Sequence, residues 1–325
     1  MQAALSPITC CDVKGEGAAL LHTTAYCIGP YRVLLHDASR YPLAEQLAPA
    51  FAPFEADGKE NSPVLMQLTV NHQLEQQGSI PWAEEQTLSF DWDDASCRIT
   101  FLAPGEHLIA ITPRESATTY RLRSYASFAS AHLGLPMDVA ADEVRFVVNN
   151  YLMMLYAFAA APHGLLLFHA SAIVHQGKAY LFLGKSGTGK STHSRLWLST
   201  IPNCKLLNDD NPLVEVDGVR QEVTAYGSPW SGKTPCYLRE SYPLGGIVRL
   251  EQAPLNEMKR LTQVAAFAAV MPSCSMLRQE ASVAHGVMQT IHQLIQQVPI
   301  FRLRCLPNAE AALLSAAHLT GVVDR

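Results

Sequence analysis

The sequence predicts an α/β fold with a mixed sheet in residues 139–325, preceded by a β-rich segment in residues 1–138. Short stretches of alternating polar and apolar residues, such as 66–70 and 98–101, predict half-buried strands in the first part. After residue 138, apolar runs of strand length alternate with longer helical patterns, which is typical of an α/β domain. We therefore expect two domains that meet near residue 138.

The second part begins with a helical pattern over residues 142–161 that is apolar on nearly every side. Such a pattern predicts a buried helix, packed between the two parts or against the sheet. Strands are predicted next at 165–168, 179–183, 205–207, 247–250 and 301–305, with a hairpin of 213–216 and 221–225. Further helices are predicted at 190–199, 261–270, 282–297 and 309–319.

Bulk composition narrows the function classes. The net charge of −5 and the lack of a Lys/Arg run argue against a nucleic-acid partner. The sequence starts without a basic leader, and its most apolar segment, 152–168, is broken by a Pro and a Gly, so we expect neither a signal peptide nor a membrane span. Eight scattered cysteines without a C-x-x-C pair favour neither a zinc site nor disulfides. A soluble cytoplasmic protein is expected.

A glycine-rich segment between a predicted strand and a predicted helix matches the P-loop pattern G-x-x-x-x-G-K-[ST]. It consists of Gly184, Lys185, Ser186, Gly187, Thr188, Gly189, Lys190 and Ser191. Glycines allow successive backbone N–H groups to face an anion, and the following helix directs its positive dipole end at the same phosphates. We expect Lys190 to reach the β- and γ-phosphates of ATP, Ser191 to ligate Mg²⁺, and Thr192 to add a nucleotide contact.

Two acidic residues, Asp209 and Asp210, follow the predicted strand 205–207. Phosphoryl transfer to a hydroxyl needs a carboxylate near Mg²⁺ and a group that accepts the hydroxyl proton. We assign Mg²⁺ to Ser191 and Asp210 as a first hypothesis, but the residue types alone leave open which acid has which role. A second interpretation is structural, because residues 208–212 are turn formers that bond their own backbone.

Three other residues are weaker candidates. His169 ends the strand 165–168, and a neighbouring parallel strand would place it beside the phosphates, although a structural histidine is equally consistent. Lys233 lies in a polar, glycine-bearing stretch and could contact the nucleotide, unless that stretch is a surface loop anchored by Trp230. Arg249 could be a second cation at the site or an arginine at a strand edge.

These motifs as a set resemble the C-terminal catalytic domain of HPr kinase/phosphorylase and, more distantly, ATP-dependent phosphoenolpyruvate carboxykinase. The resemblance covers residues 139–325 and is carried by His169, the P-loop and the Asp209–Asp210 pair. The chain is similar to uncharacterised HPr-kinase-like proteins of Bacteroidetes and to kinases from some lasso-peptide gene clusters. It departs from HPr kinase in lacking that family's docking signature after the Asp pair, so the phosphate chemistry transfers but the acceptor does not.

The resemblance implies a P-loop kinase fold in which His169 and the two Asp residues, with Lys190, act in catalysis. The expected function is an ATP- and Mg²⁺-dependent kinase that phosphorylates a hydroxyl, most simply Ser or Thr of a small protein or peptide. A kinase for a small metabolite and a nucleotide-sensing module without transferase activity are the alternatives. A homo-oligomer is compatible with the sequence but has no specific support.

Overall fold

The fold is described from a computed structural model that covers residues 21–58, 60–72, 87–92, 94–232 and 234–321. Lys233 lies outside these ranges, as do the adjacent Cys10 and Cys11 and the start of the chain.

The first part of the chain forms an eight-stranded mixed sheet. Its strands are β1 (His22–Ile28), β2 (Tyr31–Asp37), β3 (Val64–Asn71), β4 (Thr87–Trp92), β5 (Ala95–Ala103), β6 (Glu106–Pro113), β7 (Tyr120–Tyr125) and β8 (Ser130–Gly134), in the order β1-β2-β3-β8-β7-β6-β5-β4. The pairs β2/β3 and β3/β8 are parallel and the other pairs are antiparallel. A short helix, α1 (Leu43–Leu47), lies between β2 and β3. The β-rich character expected here is confirmed, while the domain boundary near residue 138 stays a prediction.

In the second part, the described residues after Ala160 form a nine-stranded mixed sheet and four α-helices. Its strands are β9 (Leu165–Leu167), β10 (Ala170–His175), β11 (Lys178–Leu183), β12 (Lys205–Asn208), β13 (Leu213–Asp217), β14 (Glu222–Tyr226), β15 (Ser241–Gln252), β16 (Glu257–Arg260) and β17 (Ile300–Cys305). The strand order is β12-β10-β11-β15-β14-β13-β9. In addition, β17 pairs with β15, and β16 pairs with β17. The pairs β11/β15 and β15/β17 are parallel. The helices are α3 (Lys190–Thr200), α4 (Gln263–Val270), α5 (Ala281–Gln297) and α6 (Ala309–Thr320). The mixed α/β class is as expected.

Helix α2 (Ala141–Ala160) lies between the two sheets, as its apolar pattern predicted. It packs on β3 and β6 of the first sheet and on β9 of the second. The Tyr151 hydroxyl donates to the carbonyl oxygen of Tyr120 at 2.8 Å and accepts from the N–H of Ile111 at 3.2 Å. The Tyr156 hydroxyl donates to the carbonyl oxygen of Ile28 at 2.5 Å. A single cluster of buried apolar side chains therefore extends through both sheets.

By length and composition, α2 and the turn after it (Ala141–His163) could cross a membrane, the one such helix in the described part of the chain. However, 67% of its most apolar 18-residue stretch is buried inside the protein. A core helix of a soluble protein passes the same test, so the apolar sequence of α2 is accounted for by its burial between the sheets.

The sequence-based assignment of strands missed one that matters for the site. Residues 165–168 were expected to form the strand next to the phosphate loop, but β9 ends at Leu167 and pairs with β13. The neighbours of β11 are β15 and β10, and the sequence did not reveal β10. All six residues of β10 are buried and half of them are Ala or Ser, so no polar–apolar alternation marks the strand.

Gly286 makes the tightest helix contact near α2. A Cβ atom at this position of α5 would lie 2.4 Å from the carbonyl oxygen of Ala161 and 2.8 Å from Cα of Pro162. We expect Gly286→Ala to lower the free energy of unfolding by about 1–3 kcal/mol, because backbone must move to admit the methyl group. Gly218→Ala is the control, since its Cβ would meet only Gln293 at 3.6 Å. Equal denaturant midpoints for the two variants would contradict this packing.

Candidate active site

The phosphate loop connects the end of β11 to the start of α3 and has the backbone that its glycines permit. Gly187 and Gly189 adopt φ angles of +77° and +106°, which L residues with side chains rarely adopt. At Gly184, a Cβ atom would lie 2.9 Å from Cβ of Thr188, so only glycine fits at the start of the turn. Lys185, Ser186 and Gly187 are exposed, whereas Lys190 is buried beneath them.

A hydrogen-bonded chain links the loop lysine to one of the two acids. The Lys190 ammonium donates to the carbonyl oxygen of Gly184 at 3.2 Å and lies 2.7 Å from Nε2 of His169. Because an ammonium group can only donate, Nε2 accepts and the ring proton is assigned to Nδ1. Nδ1 lies 3.0 Å from Oδ1 of Asp210, to which it donates. Three predicted site residues are therefore in direct contact.

His169 reaches this position by a different route from the one expected. The expectation of a neighbouring parallel strand was wrong, because β10 runs antiparallel to β11 and pairs Ala170 with Leu183. His169 therefore lies just before the start of β10, at the edge where β11 ends. Its N–H donates to the carbonyl oxygen of Ser273 at 2.7 Å, which fixes the backbone there.

The two acids, which the sequence could not distinguish, have different environments. Asp209 is 5% exposed, and its Oδ1 accepts from the Ser171 hydroxyl at 2.9 Å; that hydroxyl lies 2.6 Å from Oγ of Ser194 on α3. The Asp210 side chain is 32% exposed and accepts from His169 and, at 2.7 Å, from Nδ2 of Asn211. Asp209 therefore faces inwards beneath the loop helix, and Asp210 faces outwards.

Asn208 organises this turn, in agreement with the structural interpretation that residues 208–212 bond their own backbone. Its Oδ1 accepts from the N–H groups of Asp210 and Asn211 at 2.9 and 2.8 Å. Its Nδ2 donates to Oγ of Ser228 and to the carbonyl oxygen of Trp230, both at 3.2 Å. The side chain is fully buried, so it ties the acidic turn to the segment around Trp230. Only its contacts with Ser228 and Trp230 had no signal in the sequence.

Arg249 lies near the phosphate loop and affects the pKa of Lys190. Burial lowers the pKa of the Lys190 ammonium, the carboxylates of Asp210 and Asp209 oppose that shift, and the guanidinium of Arg249 adds to it. Arg249 pairs with Leu183 across the parallel β11/β15 ladder. A lysine and an arginine therefore lie at the end of β11, close to the two carboxylates.

The other predicted site residues are only partly placed. Ser191 and Thr192 are half-buried at the start of α3. The hydrogen bonds of the described residues include none between Ser191 and either acid. Thr192 borders a cavity of about 720 Å³ that is lined by the loop and by Leu196, Leu250 and Leu306. Lys233 lies outside the described residues, and Trp230 is buried.

Residues 136–308 match the family described as SynChlorMet cassette protein ScmC. The match covers more than half of the chain, so this protein belongs to the ScmC family. It includes the phosphate loop, His169 and both acids. No curated protein matches the sequence.

Among solved structures, the HPr(Ser) kinase/phosphatase from Coxiella burnetii is similar to 48% of this chain and 94% of its own. The sequence identity is 11% and the TM-score is 0.26, which is too low to carry an argument about the fold. The family model gives the ScmC family and not an HPr kinase family, and the structural similarity to this HPr(Ser) kinase/phosphatase is weak.

Asn208→Asp tests the turn that presents the acids. The substitution keeps an oxygen for the two N–H groups but replaces the donor that serves Ser228 and Trp230 with a second oxygen. We expect the free energy of unfolding, measured by denaturant titration, to fall by about 1–3 kcal/mol. Asn203→Asp, at an exposed turn position, is the matched control and should change it little. A stability unchanged in Asn208→Asp would disprove this role.

Proposed function

We propose that this protein is an ATP- and Mg²⁺-dependent kinase that transfers the γ-phosphoryl group to a hydroxyl, that of Ser or Thr in a peptide or small protein. One observation carries the proposal. Asp210 is joined through His169 to Lys190 of the phosphate loop, and the same carboxylate borders a groove at the surface. A donor site and an acceptor site therefore meet at one acid.

The nucleotide would bind with its phosphates on the loop. The loop N–H groups, the start of α3 and the ammonium of Lys190 supply the positive potential that the β- and γ-phosphates need. The cavity beside Thr192, with its three leucines, suits the base and ribose, since nucleotide pockets are largely apolar with a few polar groups.

The chain offers suitable oxygen ligands for Mg²⁺. The described residues contain no cluster of three or more His, Cys, Asp or Glu side chains, but Mg²⁺ in kinases is held by one or two side chains together with phosphate oxygens. We place it between Ser191 and Asp209 rather than Asp210. Asp209 is a buried carboxylate without an ion pair among the described residues, and such a group is costly unless a cation neutralises it. The bound ion would neutralise charge on the phosphate oxygens.

Asp210 is then the group that accepts the proton. As the acceptor oxygen forms its bond to the γ-phosphorus, the bond to the β–γ bridging oxygen breaks and ADP leaves with the electron pair. The hydroxyl proton passes to the carboxylate of Asp210, which is the more exposed acid and faces the groove. His169 orients that carboxylate, while Lys190 and Arg249 stabilise the charge on the transferring group.

Lys190→Met tests the donor site. Loss of the charged hydrogen bonds to phosphate should raise the dissociation constant for ATP about 10–100-fold, from ~1.5–3 kcal/mol for a hydrogen bond to a charged group. Lys178→Met, at the exposed start of β11, is the control. Titration calorimetry with Mg·ATP measures both. Equal affinities of the two variants for Mg·ATP would show that the loop does not bind the nucleotide.

The division of roles between the acids is tested with γ-labelled ATP, Mg²⁺ and a lysate of the source organism. Asp210→Asn should lower the rate of labelling about 10²–10⁴-fold at every Mg²⁺ concentration, because the proton acceptor is lost. Asp209→Asn should instead raise the Mg²⁺ concentration needed for half-maximal labelling. Asp138→Asn, with a side chain that is 94% exposed, is the control.

The same experiment tests the function itself. A labelled protein or peptide supports the proposal. A labelled small molecule alone would identify a metabolite kinase, and ATP binding without any labelled product would identify a nucleotide sensor. If Asp209→Asn lowered the labelling rate and Asp210→Asn raised the Mg²⁺ requirement, the roles of the two acids would be reversed. Full labelling by both variants would show that neither acid takes part in the reaction.

A further inference from the structure

The groove at Asp210 has two arms that lie along helix α2. One arm, the apolar arm, has a volume of about 410 Å³ and is lined by Trp92, Met153, Met154, Phe158 and Met276. The other, the polar arm, has a volume of about 510 Å³ and includes Asp142, Arg145 and Asn149. Both arms border Asn150, Met153, Asp210 and Asn211. The acid thus lies where the two arms meet.

The first sheet supplies the outer wall of the apolar arm. Phe90 and Trp92 are next-but-one neighbours on β4, so they face the same side of the sheet. Their rings are 5.8 Å apart, and Phe90 is 38% exposed. The opposite wall is α2 with Met153 and Met154. Aromatic and methionine side chains, only partly buried and beside a reactive acid, form a surface that suits an apolar group.

We propose that the groove binds an extended peptide whose Ser or Thr lies at Asp210 and that a large apolar side chain close to it in sequence occupies the apolar arm. This inference rests on the proposed function and assigns residues 1–138 a role, because their β4 strand provides Phe90 and Trp92 of the apolar arm. The two arms extend on both sides of the acid. A chain that continues past the acceptor residue fits this shape.

Peptide arrays test the binding separately from the transfer. Each peptide carries Ala at the centre and one of Phe, Leu, Gly, Asp or Lys at each flanking position, and its affinity is measured with Mg²⁺ and a non-hydrolysable ATP analogue. We expect Phe or Leu at one flanking position to bind about 10–100-fold more tightly than Gly, as burial of a large apolar side chain predicts. Trp92→Ala and Met154→Ala should abolish that preference.

Met288→Ala is the matched control for Met154→Ala. Met288 is 50% exposed on α5, outside both arms, so its variant should keep the preference. Thermal midpoints of all three variants establish that they are folded. Absence of peptide binding, equal affinity for apolar and Gly peptides, or a preference that survives in both groove variants would overturn the inference.

A parallel array with Ser at the centre and γ-labelled ATP distinguishes this inference from the proposed function. Selective binding without any labelling would leave the peptide groove in place and disprove the kinase activity. Labelling without an apolar preference would support the kinase activity and disprove the proposed apolar arm.

Discussion

The antiparallel pairing of β10 with both of its neighbours is the constraint on which the candidate site depends. Because β11 and β12 each pair antiparallel with β10, they run in the same direction and end at the edge where β10 begins. The phosphate loop follows β11, the acidic turn follows β12, and His169 precedes β10 between them. Three segments distant in sequence are thereby brought together, and the Lys190–His169–Asp210 chain of hydrogen bonds joins them.

The sequence was informative where a residue's role follows from its neighbours in the chain. Glycine spacing between an apolar strand and a helix identified the loop, and the buried helix α2 was evident from its apolar pattern. The strand β10 was missed because a short segment that is buried throughout carries no alternation. His169 was therefore connected to the loop through the wrong strand. Local pattern identified the residues, but strand direction was needed to explain their proximity.

The roles of Asn208 and the two acids depend on contacts that no local pattern encodes. Asn208 resembles any turn residue until its partners Ser228 and Trp230 are known, some twenty positions later in the chain. Adjacent aspartates are likewise equivalent in the sequence. They differ in the structure because Asp209 turns towards the buried hydroxyl of Ser171, and Asp210 turns towards the surface. A buried carboxylate calls for a cation, and an exposed one can receive a proton, so burial divides their chemistry.

Helix α2 explains why a kinase site of this kind would require the β-rich first part of the chain. Most of the helix is buried between the sheets, yet Asn150, Met153 and Met154 are only partly covered. These residues form a common wall with Trp92 of the first sheet on one side and Asp210 of the second on the other. Because α2 is packed against both sheets, the position of the aromatic wall relative to Asp210 is fixed by the core itself. A peptide bound along this wall would present its hydroxyl to Asp210 without a separate docking domain.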